Sequence, residues 1–163
     1  MALHHEMTVD ALPDRVAELL CSERYSLTQQ KAREDCVDAR YEAKGETDTH
    51  LEFDVHLVSY VHKRTGKLDR SKTETSITAY RYDKGARTLH WKHHGNHGDR
   101  VDVHGDTKLV NAGGDRTRIV RDVTIDIRVP VVGRAIAKIV ETKFRQSFDG
   151  VGALIVKLLA EDG

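Results

Sequence analysis

From Cys36 to Val129 the chain alternates between apolar and polar residues with a period of two, and this pattern restricts its fold more than any other feature. The pattern occurs in the six segments VDARYEAKG, THLEFDVHLVSYV, KTETSITAYRYD, TLHWKHH, RVDVHGDTKLVN and RTRIVRDVTIDIRV. Most of the connections between them contain glycine, as is usual for turns. Strict alternation is typical of antiparallel strands that bury one face and expose the other. LHHEMTV, at residues 3–9, alternates in the same way, so the sequence predicts seven strands.

Helical patterns lie on both sides of the six consecutive strands. Pro13 precedes apolar residues at helical spacing and predicts a first helix, and a second, shorter helix is expected at residues 26–33. The segment VVGRAIAKIVETKFRQSFDGVGALIVKLLAED, after Pro130, has an apolar residue about every 3.6 positions. About 28 residues at a rise of ~1.5 Å give roughly 42 Å, which is enough to cross the sheet. Gly150 and Gly152 weaken its middle and would allow a bend.

A sheet with one apolar face needs a second layer to cover it, and the C-terminal helix is the available cover. The sequence therefore predicts an α+β fold: a curved, seven-stranded antiparallel sheet that grips a long C-terminal helix, with two short helices between the first and second strands. A length of 163 residues fits one domain, spanning residues 1–163. The charged segment HKRTGKLDRSK, at residues 62–72, is expected to form a loop near the mouth of any cavity.

Charge and composition exclude several classes of partner. The chain has 26 basic and 26 acidic residues, so no net field would draw it to nucleic acid or to an anionic membrane. No segment approaches the ~20 apolar residues of a membrane span, so stable membrane insertion is not expected. Cys21 and Cys36 are the two cysteines, and a domain of this size does not need a disulfide. These features predict a cytoplasmic protein with reduced thiols.

The segment TLHWKHHGNHGDRVDVHG contains five histidines and raises the question of a metal site. Alternation places Trp91 and His93 on the core face and His90 and His94 on the polar face. Because His90 and His94 are about 13 Å apart along one strand, they cannot share one zinc ion. A cross-strand pair with His104 would supply only two ligands. We interpret these histidines as solvated residues and predict no metal or cofactor, with adventitious nickel or zinc binding and a purposeful metal site as weaker alternatives.

Three polar residues share faces with core residues. His5 alternates with Met7 and Val9, and Arg121 alternates with apolar residues of the last strand. A buried charge needs a partner or water, so Arg121 would meet either the acidic head group of a ligand or an interior carboxylate. The alternative is a position at a bulge or the sheet rim, with the guanidinium in solvent. For His5 and His93, the alternatives are hydrogen-bonded core residues and ligand contacts.

The order of elements resembles the helix-grip fold of the START-like (SRPBCC) superfamily, which includes START lipid-transfer domains, polyketide cyclases and birch-pollen-allergen-like proteins. VTIDIRVPVVGRAIAKIVETKFRQSFDGVGALIVKLL and the preceding VDVHGDTKLV are similar to an uncharacterised bacterial branch of that superfamily, a domain of unknown function. The resemblance implies a cavity between sheet and helix, which in relatives holds lipids, sterols, polyketides or plant hormones. It carries over no catalytic residue.

The apolar face of the sheet, the covering helix and the resemblance together predict binding or transport of a hydrophobic or amphipathic, lipid-like small molecule in that cavity. The residues expected to line it are Val55, Leu57, Trp91, His93, Arg121, Val123, Ile125, Phe144, Phe148 and Val151. Two alternatives remain open. One is a protein-interaction or stress-associated domain with a closed core. The other is a cyclase- or dehydratase-type enzyme in which His5, His93 and Arg121 supply acid–base and oxyanion roles.

Overall fold

A computed structural model describes residues 1–162 and confirms the predicted fold class. Its elements, in chain order, are β1 (Ala2–Val9), α1 (Pro13–Leu20), α2 (Glu23–Lys31), β2 (Cys36–Glu46), β3 (His50–His62), β4 (Leu68–Asp83), β5 (Thr88–His94), a single 3-10 turn (Gly98–Arg100), β6 (Val101–Asn111), β7 (Thr117–Ile127) and α3 (Gly133–Asp162).

The seven strands form one antiparallel sheet in the order β1-β7-β6-β5-β4-β3-β2. Strands β2 to β7 follow one another as a meander, whereas β1 pairs with β7 at the far edge. The chain must therefore cross from one edge of the sheet to the other between β1 and β2, and α1 and α2 make this connection. Register irregularities in the β2–β3 and β3–β4 ladders are of the bulge type that bends strands and increases their twist.

Two predicted boundaries were wrong. The expected loop at residues 62–72 is mostly strand, because β3 continues to His62 and β4 begins at Leu68. The tip of this hairpin extends beyond the core, so neither of its faces needs apolar residues. Its sequence is therefore charged and shows no alternation that would predict strands. The second helix runs from Glu23 to Lys31 and not over residues 26–33, because the Ser22 side chain caps it by accepting a hydrogen bond from the backbone N–H of Tyr25.

Helix α3 is continuous from Gly133 to Asp162 and covers one face of the sheet. Its most buried side chains, including Phe148 and Ile155, recur at helical spacing. Gly152 is buried as well, since the helix approaches β1 so closely there that an added Cβ would lie 3.2 Å from the Met7 sulfur. Ion pairs from Arg24 to Glu161 and Asp162 hold the C-terminal end against α2. No helix within residues 1–162 is long and apolar enough to cross a membrane.

The two glycines of α3 should respond differently to substitution. Gly150→Ala is expected to raise the free energy of unfolding by about 0.5–1 kcal/mol, because alanine favours helix and a Cβ there meets nothing within 4 Å. Gly152→Ala should give no such gain, because its Cβ presses on Met7. Urea denaturation of both variants tests this pair, and equal stabilisation would show that α3 is not held closely against β1.

Candidate functional site

Seven of the predicted lining residues lie on the sheet face that α3 covers, which we call the inner face. These are Val55, Leu57, Trp91, His93, Arg121, Val123 and Ile125. The other three predicted residues, Phe144, Phe148 and Val151, belong to α3. The two layers meet directly at Trp91, whose ring stacks on that of Phe144 with 5.9 Å between centroids.

Interior apolar side chains form two separate clusters. A small cluster lies under the first half of α3 and contains Leu3, Val103, Val123, Ile125 and Phe148, with Trp91 and Phe144 packed against it. A large cluster, under α1 and the second half of α3, includes Val16, Leu20, Phe53, Val55, Ile119 and Ile155, with Val151 packed against it. The structure thus brings five predicted lining residues together in the small cluster and two in the large one. Leu57 is buried but belongs to neither.

Arg121 occupies the boundary between the two clusters. On the inner face of β7 it lies between Ile119, which belongs to the large cluster, and Val123, which belongs to the small one. The residue is only 8% exposed, so it is not a rim residue with its guanidinium in solvent. Among residues 1–162 the one hydrogen-bond contact of its side chain is from Nη2 to the Met7 sulfur, at 3.8 Å, and no carboxylate pairs with the guanidinium.

Two tyrosines place unbonded hydroxyls in the same interior. Tyr25 of α2 is buried and Tyr80 of β4 is half-buried, and neither hydroxyl forms a hydrogen bond within residues 1–162. Tyr41, by contrast, donates to the Cys21 carbonyl at 2.9 Å. Burial raises the pKa of Tyr25 to about 12, against an opposing effect of Arg121, and burial likewise raises the pKa of Tyr80. Both phenols therefore stay protonated and act as donors at neutral pH.

These polar groups are incompletely enclosed by the protein. Within the described chain, the side-chain polar atoms that are both unbonded and fully enclosed are His5 Nδ1 and Arg15 Nη2. The unbonded atoms of Arg121, Tyr25 and Tyr80 are not among them, so each of these atoms keeps some solvent-accessible surface. Several inner-face side chains that face α3 are likewise only half-buried, including Met7, Tyr80, Trp91 and His93.

His5 is the cross-strand neighbour of Arg121 in the β1–β7 ladder. Its ring stacks on Phe148, with centroids 4.7 Å apart and 12° between the planes. Burial lowers the pKa of His5, and the positive charge of Arg121 lowers it further. A neutral imidazole packed between an aromatic ring and the sheet is thus part of the boundary between the clusters.

His93 lies apart from this pair. Arg121 aligns with Thr107, which aligns with Leu89, and His93 is four residues further along β5. Four residues of strand span about 13 Å, so His93 does not meet Arg121 at one point. Burial lowers the pKa of His93, with Arg33 acting in the same direction. The structure brings together two of the three residues that the enzyme alternative named, His5 and Arg121, and leaves His93 apart from them.

A polar network that alternation could not predict ties α3 to one side of the sheet. The buried Asp35 carboxylate accepts two hydrogen bonds from Arg33, each 2.9 Å long. Its Oδ2 also lies 3.0 Å from Nε2 of His62, and that same nitrogen is 2.8 Å from Nζ of Lys143 on α3. Burial raises the pKa of Asp35, but Arg33 and His62 outweigh this effect and hold it at about 2.

This carboxylate predicts a pH dependence of stability. A depressed pKa means that the stabilisation is present above the carboxyl's unfolded value and is lost as the pH falls toward 2. Between about pH 5 and pH 2, the wild type should lose about 2 kcal/mol more unfolding free energy than Asp35→Asn does. Chemical denaturation across this range measures the difference. Asp115→Asn, at an exposed turn, is the control, and identical pH profiles for wild type and Asp35→Asn would contradict the assignment.

Several histidines of the opposite, outer face contact carboxylates. His90 contacts Asp106, and His104 Nδ1 lies 2.9 Å from Asp102 Oδ1. The residue aligned with His104 on β5 is Lys92 and neither of the predicted histidines. These side chains border an open depression of about 630 Å³ on the outer face.

A group of possible metal ligands lies further along the outer face. The group consists of Glu42, Asp54 and His56, and each residue places one potential ligand atom within 4.8 Å of those of the other two. Nζ of Lys44, however, is 3.4 Å from Glu42 and 3.6 Å from Asp54, and His56 Nε2 is 2.8 Å from Glu42. Lys44 already pairs with both carboxylates, so a divalent cation would have to displace it.

The fold is a helix-grip fold and is similar to that of START-like proteins. Similar solved structures include a START superfamily protein from Mycobacterium smegmatis (TM-score 0.61, 11% identity, covering 99% of each chain). Norcoclaurine synthase from Thalictrum flavum is similar as well (0.64, 16%, covering 100% of this chain and 88% of that one). A third is the Zhui aromatase/cyclase from Streptomyces sp. R1128 (0.56, 15%, covering 96% and 92%). At these identities the likeness shows the fold alone.

The chain belongs to the family described as a protein of unknown function (DUF2505), whose profile matches residues 4–159. A comparison with curated proteins finds no significant match. The family assignment agrees with the resemblance of the C-terminal third to an uncharacterised bacterial branch of the superfamily.

Proposed function

We propose that this protein binds a hydrophobic or amphipathic small molecule between its inner face and α3. The observation that carries the proposal is the break between the two apolar clusters, where polar groups of the interior lack hydrogen-bond partners within residues 1–162 and are not fully enclosed. A domain with a fully closed core would pack side chains against those groups or give them hydrogen-bond partners, because unpaired buried polar groups are costly. The START-like fold, which in norcoclaurine synthase was solved with dopamine and hydroxybenzaldehyde, is compatible with such a role.

The ligand would contact aromatic and aliphatic side chains on one side and α3 on the other. The proposed lining is the predicted set, with Trp91, Phe144 and Phe148 supplying most of the apolar area. Mostly apolar contact with a few polar groups that fix orientation is the usual composition of such sites.

The chain contains one tryptophan, and its position on the inner face gives a direct assay. An uncharged naphthylamine dye that enters the interior should accept excitation energy from Trp91, and a lipid-like ligand should displace the dye. Organic extraction of the purified protein, followed by mass spectrometry, would identify any ligand carried from the cell. Failure of the dye to bind, together with extracts that contain no lipid-like molecule, would contradict the proposal.

Two substitutions on opposite faces of α3 make a matched pair. Val151 is half-buried and packs toward the sheet, whereas Val156 is 52% exposed. Val151→Phe should fill interior space and weaken dye binding about tenfold, which corresponds to about 1.4 kcal/mol. Val156→Phe should leave binding unchanged. Equal effects of the two variants would place the dye outside the interior.

A further inference from the structure

The proposed site contains a positive charge that no acidic group of residues 1–162 neutralises. A guanidinium cannot be deprotonated under ordinary conditions, so Arg121 carries its charge inside the protein. Burial lowers its pKa, which reflects the cost of holding this charge away from water. The buried carboxylate of Asp35 is committed to Arg33 and His62, and no acidic side chain of residues 1–162 pairs with Arg121.

The hydrogen-bond donors near this charge are also unused. Tyr25 of α2 is buried, and its hydroxyl forms no hydrogen bond within the described chain. The hydroxyl of Tyr80, on the inner face of β4, is unbonded in the same way. An interior with one unpaired cation and unbonded hydroxyl donors is complementary to an anion.

We infer that the ligand is a monoanionic amphiphile of the long-chain carboxylate class, with its head group on Arg121 and Tyr25 and its chain against the small cluster. This inference rests on the proposed function. A single negative charge fits best, because Arg121 is the one unpaired cation on the inner face of residues 1–162 and its neighbour His5 is neutral. A phosphate monoester would bring a second negative charge without a second cation to meet it.

Competition against the uncharged dye separates this inference from the proposed function. Dodecanoate, dodecanol and dodecyl phosphate have the same chain and differ in the head group. Wild-type protein should bind dodecanoate at least ~10-fold more tightly than dodecanol, since hydrogen bonds to charged groups are stronger than those between neutral groups. Arg121→Met should abolish that preference while keeping the affinity for dodecanol.

Two further variants complete the test. Tyr25→Phe should reduce the preference for dodecanoate without changing the affinity for dodecanol. Arg121→Lys should retain part of the preference, and it replaces Arg121→Met in the test if that variant does not fold. Arg118→Met, which removes an exposed arginine on the outer face of the same strand, should behave as wild type.

The outcomes distinguish the inference about the head group from the proposed binding function. Dye binding with equal displacement by dodecanoate and dodecanol would overturn the head-group inference and leave the proposed function standing. Tighter binding of dodecyl phosphate than of dodecanoate would overturn the assignment to a monoanion. A preference for dodecanoate that survives in Arg121→Met would overturn the role of Arg121. Absence of any dye binding to the wild type would contradict the proposed function itself.

Discussion

Replacing Arg121 by methionine is expected to raise the free energy of unfolding of the ligand-free protein by about 1–3 kcal/mol. The substitution removes a buried charge that has no carboxylate partner among residues 1–162 and replaces it with an apolar side chain of similar length. The methionine side chain also suits the surroundings, since Met7, Ile119 and Val123 are among the near neighbours on the inner face. A residue that lowers stability where it stands is a sign of a binding role.

Urea denaturation of wild type and Arg121→Met without ligand provides the measurement. Arg118→Met is the matched control, because Arg118 lies on the same strand with its side chain in solvent and only a 3.9 Å ion pair to Glu6. No measurable change is expected for that control. A clear loss of stability in Arg121→Met would show that the guanidinium has a structural partner and would remove the main argument for a ligand anion.

Gly105→Ala is expected to destabilise the protein by about 3 kcal/mol, at the upper end of the cost of overpacking a core. A Cβ at Gly105 would lie 2.6 Å from the backbone carbonyl oxygen of Asp122 and 2.7 Å from the Trp91 ring. The Trp91 side chain can rotate away only by leaving its stack on Phe144, and the carbonyl belongs to the neighbouring strand and cannot move alone. The absence of a side chain at Gly105 therefore sets the position of Trp91 on the inner face.

Denaturation, with Trp91 fluorescence as the probe, tests this prediction. Gly45→Ala is the control, since a Cβ at that strand position meets nothing within 4 Å. Trimming the ring in Gly105→Ala/Trp91→Leu should recover only part of the loss, because the clash with the Asp122 carbonyl remains. Wild-type stability and fluorescence in Gly105→Ala would contradict the packing of Trp91 described above.

The fold was predictable because alternation with a period of two determines both the strands and the face that each one buries. The same pattern placed Arg121 and Trp91 on the inner face without any knowledge of their neighbours. A strand that is solvated on both faces shows no alternation of apolar and polar residues, and for this reason the hairpin between His62 and Leu68 was predicted as a loop. The covering role of α3 followed from the apolar face that the sheet would otherwise expose.

The polar part of the candidate site was harder to predict from the sequence, because it depends on which side chains lack a hydrogen-bond partner in the folded chain. Arg121 can be assigned to a face from sequence, but the absence of a carboxylate near it depends on three-dimensional packing. Tyr25 was missed because the second helix was placed three residues too late, although Ser22 was available as its N-cap. Asp35 sits in a charged connection between α2 and β2, where no periodicity indicates that it is buried.

The central claim is that a ligand binds under α3 and not in the depression on the outer face, and NMR titration of methyl-labelled protein with dodecanoate tests it most directly. The predicted result is a set of saturable shifts at Val55, Val123, Ile125 and Val151, with Ile77 and Ala79 on the outer face unchanged. Saturable shifts confined to Ile77 and Ala79, with inner-face methyls unchanged, would contradict the claim.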